Sequence, residues 1–170
     1  VELLKAKGWF RDGSLHAAQL ENANLRGAAL AKAEMQRANL RGANLTKAYL
    51  GETHLKAAIL VKAILHEANM RNVILTEADL SNADLSRAYL PQAHLMGSRF
   101  TNAILHTTNF WQADLSGANL QGANMTGVIF FETRFSEQTI LPDGSLWTST
   151  TDWTRFTDPA HPQFWQGGSG

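Results

Sequence analysis

The chain has 170 residues, 44% of them apolar, and its 15 Lys+Arg balance 15 Asp+Glu, so it can bury one domain's core and carries no net charge. Nowhere do apolar residues run near 18 in a row, which excludes a membrane-spanning helix, and the absence of Cys excludes disulfides and thiolate metal sites. With no secretory leader visible, a cytoplasmic location is expected.

Residues 1–14 read as an N-terminal cap. The stretch from Val1 to Gly8 has the pattern of a short helix end stopped by glycine. Trp9 and Phe10 follow as apolar cover, and Asp12-Gly13-Ser14 makes a turn. Residue 1 is Val, so we expect the chain to be part of a larger protein.

Residues 15–140 are governed by one rule. Every fifth position from Leu15 to Ile140 is Leu, Met, Phe or Ile, and from Ala18 to Thr133 the residue two before it is Ala or another small side chain such as Thr53, Val73, Ser98 or Thr108. On a helix, residues five apart lie about 140° round from each other, so this row would spiral and bury nothing. In an extended segment, residues two apart share a face, so Ala and Leu point inward and the residue between them points out. The other two residues of each unit are rich in turn formers, as in Arg41-Gly42, Ser116-Gly117 and Gln121-Gly122. A chain that bends the same way at every such corner must wind into a coil whose successive turns pair like parallel strands.

Runs such as Ala38-Asn39-Leu40-Arg41-Gly42, Ala78-Asp79-Leu80-Ser81-Asn82 and Ala113-Asp114-Leu115-Ser116-Gly117 resemble the A(D/N)LXX signature of the pentapeptide-repeat proteins. The resemblance implies an all-β fold, a right-handed quadrilateral parallel β-helix with 20 residues per coil, and a bacterial source. Stacked at about 4.8 Å, the repeats would make a tower roughly 31 Å tall. Residues 141–166 follow as a C-terminal capping tail, opened by the turn Leu141-Pro142-Asp143-Gly144 and similar to segments that follow the repeats in some bacterial members. Residues 167–170, Gly-Gly-Ser-Gly, read as a disordered linker.

Charge is unevenly placed. Residues 1–72 hold 11 Lys+Arg against six Asp+Glu, a net of +5, and residues 73–170 hold four against nine, a net of −5. Either corner composition drifts along the tower or the polarity orients a partner.

Chemistry finds little purchase. At 20 residues per coil, His54 and His94 stack two coils apart, as do His66 and His106, about 10 Å from each other, too far to share a metal ion. His16 and His161 are isolated. Asp79, Asp84 and Asp114 stand at the outward position, where solvation or bonding to the corner backbone explains them. A hexapeptide-repeat acyltransferase would need a period of six and inserted loops to build its site. No enzymatic activity, cofactor or metal is therefore expected. Nucleic-acid binding is not expected either, because Glu21, Glu34, Glu52 and Glu67 interrupt the basic half.

The reading that remains is a rigid interaction or spacer module that takes an unidentified protein partner or associates with itself. The resemblance supplies an alternative, since some pentapeptide-repeat proteins mimic DNA and thereby occupy an enzyme such as gyrase, although that device needs a strongly acidic tower. Two surfaces stand out. Ile59, Val61 and Ile64, with Tyr49 and Ile74 near by in sequence, form a candidate contact patch. Pro91, Trp111 and Phe131 stack at 20-residue spacing, and the expectation is that Trp147, Trp153, Phe156 or Trp165 folds back down the side of the tower to cover them.

Overall fold

In the computed structural model, which describes residues 15–166, each outward residue from Gln19 to Asp114 forms a parallel bridge to the residue 20 positions on. Four bridge columns result, one on each side of a right-handed quadrilateral β-helix. The first face carries Gln19, Asn39, Ile59, Asp79, Arg99 and Asn119; the second runs from Asn24 to Asn124, the third from Ala29 to Ile129, and the fourth from Glu34 to Arg134. The proposed N-terminal cap, residues 1–14, and the linker 167–170 lie outside the described residues. Among the described residues no helix is long and apolar enough to cross a membrane.

Where the outward residue is Asn or Asp, the five-residue unit gives every backbone N–H an acceptor, a demand that any buried or paired segment must meet. Around Leu40 the outward Asn39 donates down to Ala18 O (2.9 Å) and Leu40 donates up to Ile59 O (2.8 Å). Gly42 at the corner donates to Val61 O of the next coil (2.9 Å), and Ala43 closes the turn on Leu40 O (3.0 Å). The fifth donor, Arg41 N–H, is taken by the side chain of Asn39 (3.2 Å). Asp79, Asp84, Asp114, Asn119 and Asn124 make the same bond two residues ahead. The Asn or Asp of each unit is thus an Asx cap on its own corner.

Inside, Ala and Leu layers are almost wholly sealed from solvent. Where Thr takes the Ala place, its hydroxyl donates to the carbonyl of a core residue one coil below: Thr53 to Leu30 O and Thr108 to Leu85 O, both at 2.8 Å. No buried side-chain polar atom among the described residues lacks a partner.

The second corner residue of each unit is left-handed, with φ from +53° to +73° along the coils, and most of these residues are not glycine. Thr107 (φ +53°) is the β-branched one among them, the side-chain type least suited to that region. Thr107→Asn should therefore raise stability by about 1 kcal/mol, seen as a rise of a few degrees in the thermal midpoint; no rise would mean that the bond its hydroxyl donates to His106 O (2.8 Å) outweighs the strain.

The five-residue row does slip once, contrary to the sequence expectation. Asn119 bridges Ile140, 21 residues on, because the corner at residues 136–138 holds one extra residue. Thr139 takes the Ala slot and Leu141 the Leu slot, both buried, while Ile140 points outward. Its place in the count of fives is a coincidence of the insertion.

Beyond it, the 141–145 turn reverses the chain. Asp143 accepts from the Ser145 N–H and hydroxyl, Gly144 adopts φ +85°, and Leu146 pairs antiparallel with Ile140 to occupy the open edge of the first face. The tail then crosses the end of the tower. Trp153 lies 4.6 and 4.5 Å from the rings of Phe130 and Phe135, Trp147 stacks on Phe135 at 6.0 Å, and a single turn of helix, α1 (Thr154–Thr157), seats Phe156 beneath Trp153 and Trp165. Arg155 holds Asp143 by an ion pair at 3.1 Å, tying the helix to the turn.

The tail thus covers the last coil, and the expected fold-back over Pro91, Trp111 and Phe131 is not the structure: Phe131 stays 63% exposed and Trp111 half-buried, while Pro91 is buried within its own corner. The reason is position. The tail leaves at the corner of the first and second faces, diagonally across from Trp111, and the exposed core slab of Phe130 and Phe135 takes its rings before it can reach the far side.

Candidate interaction surface

The titratable side chains do not converge. His54 Nδ1 meets Glu34 Oε2 at 2.9 Å, His66 Nε2 meets Glu67 Oε1 at 3.2 Å, and His161 Nε2 meets Asp152 Oδ2 at 3.3 Å, each a surface pair on a separate part of the tower. Ile74 separates His54 from His94 in the fourth-face column. No three metal-ligating groups come together among the described residues. Ion pairs follow the coil spacing instead: Lys47 and Arg87 flank Glu67 at 3.2 and 3.7 Å, and the Lys47 ammonium, its largest influence, holds that carboxyl below its usual range. Such exposed ladders contribute little to stability.

The informative residues are those at the outward position that are neither Asn nor Asp. Each forgoes the corner-capping bond, and where the substitute is Ile or Tyr it also exposes apolar surface: Tyr49, Ile59, Ile64, Tyr89, Ile104 and Ile129. The coil length decides which of these are neighbours. Ile59 and Ile64, each 40% exposed, lie on the first and second faces with Val61 at the corner between them. Tyr49 belongs to the third face and Ile74 to the fourth, the sides away from this edge, so the sequence patch divides into a contiguous trio and two outliers.

A larger apolar surface stands on the opposite edge. Tyr89 (43% exposed) and Ile129 (47%) share the third-face column with Asn109 between them. Trp111 and Phe131 stack at the adjoining corner, since Gln112 N–H bonds Phe131 O at 2.9 Å and Gln92 N–H bonds Trp111 O at 2.8 Å. Together these four residues form a ridge three coils tall. Tyr89 and Ile129 escaped the sequence reading, although the signal that picked out Ile59 and Ile64, an apolar residue in the Asn/Asp place, marks them equally.

The ridge has a polar flank. Gln92 donates to Gln112 (3.1 Å) and Gln112 to Glu132 (2.6 Å), a side-chain ladder along the corner. Beyond it the fourth face forms an open groove of about 610 Å³ lined by Asn72, His94, Asp114, Glu132 and Arg134. Apolar centre and hydrogen-bonding margin side by side are the anatomy of a protein interface. The groove holds no nucleophile within reach of a base and nothing that shields a reacting atom from water.

The family model described as pentapeptide repeats matches the chain in eight copies, over residues 14–46, 38–76, 78–110, 93–131 and 112–137. Among curated proteins none matches. Among solved structures, a pentapeptide repeat protein from the Arabidopsis thaliana thylakoid lumen is 28% identical, with 61% of this chain and 68% of that one covered at a TM-score of 0.50. The pentapeptide repeat protein alr5209 from Nostoc Pcc 7120 is 30% identical over 61% of this chain and 84% of that one, also at 0.50. Full-length QnrB1, a plasmid-mediated fluoroquinolone resistance protein, is 16% identical over 77% and 87%, at a TM-score of 0.47.

Proposed function

The chain belongs to the pentapeptide-repeat family, and from that premise we propose that it is a rigid, non-enzymatic docking module that binds a protein partner along the ridge of Tyr89, Trp111, Ile129 and Phe131. The observation that carries this is the exposure of large side chains where the repeat needs none: Phe131 is 63% exposed at a corner that Gly51 fills lower down. Covering about 100 Å² of apolar surface on each of the two most exposed residues contributes roughly 5 kcal/mol before the costs of association. Parallel bridges along every face give the ridge a fixed shape, which lowers the entropy lost on binding. The trio of Ile59, Val61 and Ile64 is a second, smaller contact surface in this reading.

DNA mimicry is the weaker reading on charge. Asp79, Asp84 and Asp114 lie on three different faces and each bonds its own corner, so they make no acidic stripe.

Site-specific photo-crosslinking tests the proposal. A photoreactive residue at position 131 should capture a discrete protein that the same residue at Asn44, on the second face, does not. Tyr89→Asp should abolish the capture while leaving the circular-dichroism spectrum unchanged, with the affinity reduced about 100-fold. Equal capture from both positions, or capture indifferent to Tyr89→Asp, would remove the ridge from the binding surface.

A further inference from the structure

The first face carries both halves of a complementary contact. Its column has eight rungs, from Gln19 through Asn39, Ile59, Asp79, Arg99 and Asn119 to Ile140, and then Leu146 of the returning strand. The corners that flank its lower half carry four exposed cations: Arg37 and Lys56 on the fourth-face side, Arg41 and Lys62 on the second-face side. Of these only Lys56 has an ion-pair partner among the described residues, Glu77 at 3.7 Å. At the upper end the fourth-face corner carries an acid in the matching place. Glu137 occupies the fourth-face side, in the turn whose Ser136 hydroxyl accepts from Gly117 N–H at 3.0 Å. On the second-face side Asp143 is already held by Arg155 at 3.1 Å and its side chain is only 18% exposed, so that corner offers no free acid.

We propose that two copies of this chain associate antiparallel through their first faces. A twofold axis lying across the face, perpendicular to the tower, reverses the order of the rungs and leaves each corner opposite the same corner of the other copy. Rung four then meets rung five, so Asp79 faces Arg99 of the second copy and the reverse. Rung two meets rung seven, which brings Arg37 to Glu137 of the second copy on the fourth-face side. Every one of these contacts occurs twice, and none sets like charges against each other. A parallel arrangement would instead oppose basic half to basic half. One face of a tower this slender is small against the roughly 800 Å² per partner of a standard interface, so the dimer is weak and its charge pairs make it sensitive to salt. This inference stands on a different face from the ridge and does not depend on it.

Sedimentation of the full chain, with charge-reversed variants, tests it. The parent should approach twice 18.7 kDa at high concentration in low salt and return to monomer as salt rises. Arg37→Glu alone and Glu137→Arg alone should each weaken the dimer at least tenfold, since each places like charges at two equivalent contacts. An equimolar mixture of the two variants should dimerise again, because both contacts of that pair are then opposite in sign. A parent that is monomeric at every concentration, single variants that dimerise like the parent, or a mixture no better than its components would overturn the proposal. A dimer lost on Phe131→Asp and kept on Arg37→Glu would overturn it too, by moving self-association to the ridge.

Discussion

Leu65→Asp is expected to abolish cooperative folding or lower the thermal midpoint by about 10–20 °C, whereas Ile64→Asp, one residue away, should shift it by only a degree or two. Leu65 is fully buried in the second-face core column, and Ile64 is 40% exposed on the outside of the same strand. The substituted carboxyl would enter a layer of leucine and alanine with no polar partner. It must either ionise at a cost of several kcal/mol or stay protonated and still lose the leucine packing, about 3–5 kcal/mol in either case. A domain of this size has only about 5–15 kcal/mol to lose. In a solenoid each coil leans on its neighbours, so the damage spreads to the coils that contain Leu45 and Leu85. Thermal unfolding followed by circular dichroism reads the contrast, and equal melting of the two variants would mean that the inward and outward assignments are wrong.

Truncation after residue 141 should have the second large effect. It removes Trp153 from its contacts at 4.5 and 4.6 Å with Phe135 and Phe130, removes Phe156, and uncovers the strand edge that Leu146 occupies. Loss of one well-packed aromatic costs about 3–5 kcal/mol, and here several leave together. The bared end presents a core slab and unpaired strand groups, the two features that drive end-to-end association of solenoids. Light scattering should show the truncated chain forming large species under conditions where the full chain does not. Quenching of Trp111, read with Trp9, Trp147, Trp153 and Trp165 replaced by Phe, should be the same in both chains, because the tail lies over the end of the tower and not down its side. A rise in Trp111 quenching on truncation would restore the fold-back path that the ring contacts exclude.

The sequence by itself determined the coil, its inside and its outside. A five-residue period cannot close on a helix, so the inward Ala and Leu, the outward third residue and the corners were all legible from spacing, and the resemblance added four units per coil. It left Asp79, Asp84 and Asp114 as either solvated or bonded to the corner backbone, and the structure has the bond, which an Asx side chain makes with only its own next two residues. Only the tertiary structure decided what depends on neighbours far apart in sequence. Tyr49 and Ile74 are near Ile59 in the chain, yet they lie on other faces because a coil distributes four consecutive units among four directions. Ile140 kept the count of five and still points outward, since the extra residue at the 136–138 corner is visible only in the bridge from Asn119. The tail's rings were recognisable as cover, but what they cover was set by where the chain leaves the last coil. Local periodicity specifies which way a side chain points; which surfaces meet is decided by the closure of the coil and the route of the chain across its end.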